Sequence, residues 1–368
     1  MRAGFIIIIL VFFGLVAYVT WHLWRITPGN QAAKSIVSGL FLLWMVAAFS
    51  SMFLRNRLPY LAVVALYEAG QPWLIAFAYL AIIFVLADIA VICKFIPKAY
   101  INGNLTGLLS IIGIVAIVMI AGGVHYKHKY REELTIKTEK PLEQQHIKVV
   151  LASDLHIGFS NRKATLARWV DMINAEHPDL IIFGGDIVDI QTKPLFDGNY
   201  ADEFRRLEAP AYAVLGNHEY IAGAEESQAF LAQAGITLLK DSVAHFKGID
   251  IIGRDDRSNP CRPALWEFAD SLSGFTLLVD HQPSHLEEAE DAGIDFQFSG
   301  HTHRGQAWPI SWITDAIFEK SWGPYQKGNT QYYISSGLGI WGPKIRIGTR
   351  SEYLVLTCIS HPERSEGS

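Results

Sequence analysis

Four long apolar stretches near the N-terminus constrain this chain most strongly. They cover about residues 4–24, 36–54, 73–93 and 108–124. Each approaches the ~20 apolar residues that a helix needs to cross a bilayer. No small-x-small cleavage site follows the first stretch before Arg25, so we interpret it as a retained helix rather than a signal peptide. The sequence predicts an integral protein of the inner or plasma membrane, with a four-helix transmembrane region over 1–124 that contacts membrane lipids.

The lysines and arginines near these stretches predict the orientation. With four spans, the N-terminus, the second loop and the region after the fourth helix share one side. That side carries eight basic residues: Arg2, Arg55, Arg57, Lys127, Lys129, Arg131, Lys137 and Lys140. The other side carries four: Arg25, Lys34, Lys94 and Lys98. Because positive loops tend to stay inside, we expect the C-terminal domain to be cytoplasmic.

One acid, Asp88, falls inside the third apolar stretch. An ionisable group at that depth is a functional candidate. We expect it to hydrogen-bond to another helix in preference to a transport role, because the four stretches carry little other charge.

The composition of the sequence changes after residue 124, where the long apolar stretches end. A charged segment, 125–145, is predicted to be a linker, and 361–368 a disordered tail. Between them, over 146–360, short β-rich runs such as "HIKVVLAS" and "DLIIFGG" alternate with helical ones such as "KATLARWVDMINAEH". This alternation is typical of an α/β domain. The three cysteines are isolated and form no disulfide framework, and no nucleic-acid partner is predicted.

Five of the predicted strands run directly into polar residues. The strand ends read "SDLHIG", "GGDIVD", "GNHEY", "DHQP" and "SGHTHRG". In α/β sheets, ligands bind outside the carboxyl ends of the strands. We therefore expect these groups to meet in one cleft.

In this order, the five motifs resemble the calcineurin-like metallophosphoesterase superfamily. Its pattern is D-x-H, G-D-x-x-D, G-N-H-[DE], a lone His and G-H-x-H, and the resemblance covers about 146–358. The final "YYISSGLGIWGPKIRIG" is similar to the membrane-associated bacterial branch. The resemblance implies two packed mixed β-sheets flanked by helices.

The resemblance also implies a site for two divalent or mixed-valence metal ions, Mn, Fe or Zn. Asp154, His156 and His303 would hold one ion, Asn217, His281 and His301 the other, and Asp186 would bridge them. Such mixed carboxylate, imidazole and amide ligands suit these metals. We expect the H-x-H segment to be strand-like, so that its two imidazoles point the same way and each reaches one ion.

Further residues take roles by resemblance. His218 would be catalytic, stabilising the transition state and protonating the leaving oxygen, while a metal-bridging hydroxide attacks phosphorus. Asp189 and Glu219 would orient ligands, although Glu219 could equally be a solvated acid. Arg304 is either a phosphate contact or a solvent-facing side chain.

The expected function is that of a membrane-anchored phosphohydrolase acting on a phosphoester or pyrophosphate. The aromatic-rich segment after the last motif, "AWPISWITDAIFEKSWGPY", suits the membrane interface and a lipid-linked substrate, or else simply covers the sheet. The alternatives are a phosphatase or phosphodiesterase of a soluble metabolite and a non-catalytic metal-binding regulatory membrane protein.

Overall fold

The chain, seen here as a computed structural model that describes residues 2–360, divides into two compact units. The first comprises Met1–Val124 with the short segment Gly342–Ile345, and the second comprises His125–Trp341 with Arg346–Ser368. The predicted disordered tail, 361–368, lies outside the described residues.

The first unit is helical. Its helices are α1 (Arg2–Ile26), α2 (Gln31–Phe53), α3 (Tyr60–Gly70), α4 (Pro72–Ile92) and α5 (Leu105–Lys127), with a 3₁₀ turn at Lys98–Ile101. Four stretches are long and apolar enough to cross a membrane: Ile6–Ile26, Gln31–Phe53, Tyr60–Ile92 and Leu105–Lys127. Many of their large apolar side chains face outward, as a lipid environment requires.

The third of these stretches is longer than the predicted 73–93 because α3 precedes α4. The two helices meet at Gln71, and proline is tolerated at the first position of α4, where a backbone N–H would have no intrahelical acceptor and its absence costs nothing. Helix α3 packs on α2 at Gly70, where a Cβ atom would lie 2.7 Å from the backbone of Ala48. Close helix contact at a glycine is typical of membrane helices.

Asp88 makes the interhelical contacts that the sequence predicts. Its Oδ2 accepts a hydrogen bond from the Tyr18 hydroxyl of α1 at 2.8 Å and lies 3.0 Å from His22 Nε2 of the same helix. The carboxylate therefore links α4 to α1.

The second unit contains two six-stranded mixed sheets. Its strands are β1 (Lys129–Thr138), β2 (His146–Ala152), β3 (Leu180–Phe183), β4 (Ala211–Ala213), β5 (Thr237–Leu238), β6 (Ser242–Phe246), β7 (Ile249–Gly253), β8 (Phe275–Val279), β9 (Phe296–Ser299), β10 (Gly323–Lys327), β11 (Thr330–Ile334) and β12 (Ser351–Ser360). The sheet orders are β1-β12-β2-β3-β4-β5 and β10-β11-β9-β8-β7-β6. Strands β2 to β5 are mutually parallel, as are β7, β8, β9 and β11.

Helices flank these sheets. They are α6 (Lys163–Asn174), α7 (Lys193–Asp197), α8 (Ala201–Phe204), α9 (Asn217–Ala222), α10 (Ala224–Gln233), α11 (Glu287–Asp291) and α12 (Ile310–Ile317), with 3₁₀ turns at Leu265–Ser271 and His303–Gly305. The predicted fold class is confirmed.

Successive side chains of the central strands alternate between the two faces of the sheet and enter two different core clusters. In β2, Val149 and Leu151 enter a cluster with residues of the second sheet, such as Leu277 and Phe298. Val150 and Ala152 of the same strand face a cluster that includes α6. Because successive side chains point to opposite faces, one apolar strand is buried on both sides. The rigid sandwich fixes the strand ends from which the site is built.

The segment predicted to be a linker, 125–145, contains β1, which pairs in parallel with β12 from Lys129 to Thr138. This strand lies at the edge of its sheet, and its exposed and less exposed residues alternate. Most of its charged residues belong to the solvated face of an edge strand, which explains why the sequence resembles a linker.

Candidate metal centre

The seven predicted metal ligands all follow the carboxyl ends of parallel strands. Three strands of the first sheet contribute, β2, β3 and β4, and two of the second, β8 and β9. The ligands are Asp154 and His156 after β2, Asp186 after β3, Asn217 after β4, His281 after β8, and His301 and His303 after β9. The structure brings them together in one largely buried cluster.

The first group consists of Asp154, His156 and His303, all buried. His156 Nε2 and His303 Nε2 are 3.0 Å apart, and His303 Nε2 lies 3.4 Å from Asp154 Oδ1. Two imidazole nitrogens thus face one another beside a buried carboxylate. This donor set suits a borderline divalent ion.

The second group consists of Asp186, His281 and His301, joined by Asn217. His281 Nε2 lies 3.2 Å from Asp186 Oδ2, and His301 Nδ1 lies 2.8 Å from Asn217 Oδ1. The other ring nitrogen of His281, Nδ1, is 2.8 Å from the carbonyl oxygen of Gly184. This bond fixes the ring and turns Nε2 inward, as is usual for a metal-ligating histidine.

Asp186 lies between the two groups. Its Oδ2 is 3.7 Å from His156 Nε2 of the first group and 3.2 Å from His281 Nε2 of the second. His281 Nε2 is buried, and because its 3.2 Å approach to Asp186 Oδ2 lacks hydrogen-bond geometry, it has no hydrogen-bond partner among the described residues. A buried nitrogen left in this state fits a position beside a metal ion, and the donor set as a whole fits two ions.

Five of the seven predicted ligands have left-handed backbone conformations. They are Asp154 (φ 56°), His156 (45°), Asp186 (51°), His301 (71°) and His303 (47°). Non-glycine residues seldom adopt this region, and such strain concentrates at functional sites.

The expectation of a strand-like H-x-H segment is therefore wrong. Strand β9 ends at Ser299, and His303 begins a 3₁₀ turn. The left-handed turn, in place of strand alternation, sends His301 to the second group and His303 to the first.

Gly216 permits the close approach of two strand ends. A Cβ atom on it would collide with Asp186 Oδ1 and lie 2.8 Å from His281 Nε2. Any side chain here would displace the groups that surround Asp186.

His218 adjoins the cluster without belonging to either group. Its backbone N–H donates to Asp186 Oδ1 at 2.8 Å, and its Nδ1 lies 2.8 Å from the carbonyl oxygen of Asp189. His156, Asp189 and His218 also converge closely enough to hold an ion. The ring nitrogen that His218 turns towards this third group is Nδ1, 3.6 Å from Asp189 Oδ1, and that nitrogen is already engaged by the carbonyl, so we assign His218 no ligand role there.

Asp189 is buried between two histidine rings. Its Oδ1 lies 3.7 Å from His156 Nδ1 and 3.6 Å from His218 Nδ1. From there it can orient a ligand and the adjoining His218, the type of role that the sequence predicts.

Glu219 is fully buried, which excludes the solvated alternative. Its carboxylate accepts hydrogen bonds from the backbone N–H groups of Asp186, Val188 and Gly216 at 2.7–3.0 Å. Burial and the nearby Asp186 charge raise the pKa of Glu219 to about 7. Glu219 therefore holds the turn that carries Asp186.

The electrostatics of the cluster differ from group to group. Burial is the largest influence on His303, and it holds the pKa well below the ordinary value, with His156 and Arg346 adding to the effect. Burial also opposes the charged forms of His281 and His218, but carboxylates more than offset it. Asp186 raises the pKa of His281 well above its ordinary value, and Asp189 with Asp186 raises that of His218 to about 9.

Arg304 does not simply point into solvent. Its guanidinium carbon lies 4.3 Å from the ring centroid of Trp322, and Arg350 lies 4.8 Å from the same ring. The Trp322 indole N–H donates to Glu352 at 2.9 Å. Trp322 is therefore packed within the second unit, which for this residue favours the alternative that the segment covers the sheet.

Sequence reasoning missed Arg346, which is fully buried behind His303. It donates to the carbonyl oxygens of His303 (2.9 Å), Ser336 (2.5 Å) and Gly339 (3.0 Å). A guanidinium with several fixed donors can hold several carbonyls at once, so Arg346 positions the His303 turn. The stretch "GPKIRIG" contains it but gives no signal of this role.

Comparisons with known proteins agree with this geometry. The family model for calcineurin-like phosphoesterases matches residues 147–305. An uncharacterized metallophosphoesterase of Aquifex aeolicus is 31% identical over 238 residues, 61% of this chain and 90% of that protein. One of Helicobacter pylori is 30% identical over 224 residues, 58% of this chain, and the match spans only 60% of that relative's length.

The likeness extends beyond bacteria and beyond the second unit. A Bos taurus "transmembrane protein with metallophosphoesterase domain" is 23% identical over 408 aligned positions, 93% of this chain and 86% of that protein.

Among solved structures, a 5'-nucleotidase precursor of Thermus thermophilus aligns with a TM-score of 0.36 and 15% identity, covering 59% of this chain and 55% of that one. The bacterial relatives fit the predicted branch. The chain belongs to the calcineurin-like metallophosphoesterase family.

Proposed function

We propose that this chain is a membrane-anchored phosphohydrolase that uses two metal ions to cleave a phosphoester or pyrophosphate bond. The observation that carries the proposal is the position of Asp186 between two histidine groups drawn from five strand ends. Asp154, His156 and His303 would hold one ion, Asn217, His281 and His301 the other, and Asp186 both.

Bound ions at these positions would supply Lewis acidity, lowering the pKa of a water and neutralising charge on phosphoryl oxygens. The protein's own residues do the rest. Gly184, Glu219 and Arg346 hold the ligands in place. His218 is held through Nδ1, which leaves Nε2 as the ring nitrogen that can face a substrate. That nitrogen is the proton donor to the leaving oxygen.

The proposal is tested with the full chain in detergent. We expect hydrolysis of p-nitrophenyl phosphate or its bis-ester to require added Mn, Fe or Zn, to stop with a chelator and to return when metal is restored. Metal binding without hydrolysis of any phosphate ester would support the regulatory alternative instead.

We also propose that the catalytic unit is cytoplasmic, in line with the eight-to-four distribution of basic residues. Cys261 is exposed and Cys358 is buried, so Cys93→Ser leaves Cys261 as the reactive thiol of the described chain. We expect a membrane-impermeant maleimide to label it only after spheroplasts are permeabilised. Lys98→Cys, in a loop predicted on the opposite side, is the control that should be labelled in intact spheroplasts. Labelling of Cys261 in intact spheroplasts would contradict the proposed cytoplasmic position of the second unit.

A lipid-linked substrate is supported by one further feature, the exposed apolar face of α12. This helix begins seven residues after His303, and Trp312, Ile313 and Ile317 on it are 64%, 58% and 68% exposed. Tryptophan and isoleucine on an amphipathic helix favour the membrane interface. A lipid phosphate presented beside this helix would lie close to the metal centre.

Replacement of Trp312 and Ile313 by serine tests this proposal. We expect hydrolysis of a micellar lipid phosphate to fall at least about tenfold more than that of p-nitrophenyl phosphate, because two apolar contacts with the interface are lost. The control Trp312→Phe with Ile313→Leu keeps the apolar face and should retain both activities. Equal losses on the two substrates would favour a soluble metabolite.

A further inference from the structure

An arginine-lined cavity of about 690 Å³ lies outside the cluster of metal ligands. Arg254, Arg257 and Arg262 line it, with Trp266 and Glu288 among the other wall residues. Its size is within the range of small-molecule sites. None of the five family motifs includes these arginines.

The arginines are only partly satisfied by the protein. One terminal nitrogen of each has a partner: Arg254 donates to the carbonyl of Pro263, Arg257 to that of Ser284, and Arg262 to Asp280 Oδ2 at 2.5 Å. Four other buried nitrogens have no hydrogen-bond acceptor among residues 2–360. They are Arg254 Nε, Arg257 Nε, and Nε and Nη1 of Arg262.

Acidic groups stand close by without completing these bonds. Glu288 lies 3.8 Å from Arg254 and 3.7 Å from Arg257, and Asp241 lies 3.5 Å from Arg254. Asp291 also lines the cavity. The feature that makes this cavity a candidate ligand site is therefore its set of unpaired arginine donors and not the net charge of its walls. Guanidinium groups stay protonated, so these donors remain unpaired among residues 2–360.

Two neighbouring strands, β7 and β8, connect the cavity wall to one predicted metal ligand. The N–H of Arg254, directly after β7, donates to the carbonyl of Val279 at the end of β8. Asp280, which binds Arg262, directly precedes the predicted ligand His281. Gln282, on the other side of His281, donates to Asp256 at 2.8 Å. The wall of the cavity and one metal ligand thus share the same strand ends.

We propose that this cavity binds an oxyanion of the phosphate class, a second phosphate group on the substrate whose reacting phosphorus lies at the metal centre. The identification of the occupant as part of a substrate rests on the function proposed above. Three guanidinium forks suit an oxyanion with several acceptor oxygens, which they can contact in pairs. The exposed ring of Trp266 offers a surface for the part of the substrate that carries this group.

Binding is tested first without catalysis. The full chain in detergent with a chelator is titrated with inorganic phosphate by calorimetry. We expect one phosphate to bind, with Kd at least about tenfold higher in both Arg262→Gln and Arg257→Gln, because charge-assisted bonds are lost. Arg257 is the more exposed, so its replacement guards against misfolding. Arg205→Gln, a surface change directly after α8, should leave Kd unchanged. No binding by the wild type, or Kd values that neither cavity variant alters, would overturn the proposal.

A second measurement distinguishes a substrate group from free phosphate. Glucose 1,6-bisphosphate and glucose 1-phosphate differ by one phosphate, and their KM values are compared in the wild type and in Arg257→Gln. We expect the ratio of the bisphosphate KM to the monophosphate KM to rise at least about tenfold in the variant. An unchanged ratio with intact calorimetric binding would overturn the substrate role and make free phosphate the ligand. Absence of hydrolysis with intact, arginine-dependent binding would contradict the proposed activity and leave the oxyanion site standing.

Discussion

Asp186→Asn is expected to remove most of the bound metal and to lower hydrolysis by about 100-fold or more. Residues that merely orient metal ligands commonly cost 10–100-fold when replaced, and Asp186 lies against both histidine groups. The amide has nearly the shape of the carboxylate, so the backbone N–H of His218 keeps an acceptor. Metal content by plasma mass spectrometry and turnover should fall together, while circular dichroism stays that of the wild type.

The control for this change is Asp197→Asn, the same substitution on an exposed carboxylate of α7. It should leave metal content and turnover unchanged. Full metal occupancy and normal turnover in Asp186→Asn would refute the assignment of Asp186 to both ions.

His218→Gln should lower kcat by about 10²–10⁴-fold while both ions stay bound, because it removes a proton donor and no metal ligand. The loss should depend on the leaving group. A p-nitrophenolate departs without protonation, so we expect the smaller loss there and the larger one on an alkyl phosphate. Metal content and kcat for the two esters are the measurements.

His177→Gln, on an exposed turn of the same unit, is the matched control and should change neither value. If His218→Gln loses metal, or if the two esters lose activity equally, His218 is a ligand or a positioning residue and not the proton donor.

The sequence predicts which residues lie at the candidate metal centre better than it predicts the backbone conformation and strand pairing around them. Each ligand follows an apolar strand in the sequence, so its position at a strand end could be inferred from local pattern alone. The geometry of the H-x-H segment could not, because the left-handed conformations of His301 and His303 depend on the surrounding turn. Likewise, β1 is recognisable as a strand only once its pairing with β12 is known.

The partners of residues that act through long-range contacts cannot be inferred from the local sequence. Glu219 lies 33 residues from Asp186, yet its carboxylate accepts a hydrogen bond from the Asp186 backbone N–H. Arg346 lies 43 residues from His303, yet it donates to the His303 backbone carbonyl. Nothing in their local sequence specifies these partners. The arginines of the cavity follow a strand end, as the ligands do, but "GRDDRSNPCR" matches no motif that would have identified them.

Anomalous X-ray scattering from crystals of the manganese-loaded full chain tests the central claim most directly. We predict two peaks about 3.5–4 Å apart, the separation typical of two-metal hydrolases, one beside Asp154, His156 and His303 and the other beside Asn217, His281 and His301. The Asp186 carboxylate should lie between them. A single peak, or peaks that do not contact Asp186, would contradict the two-metal centre.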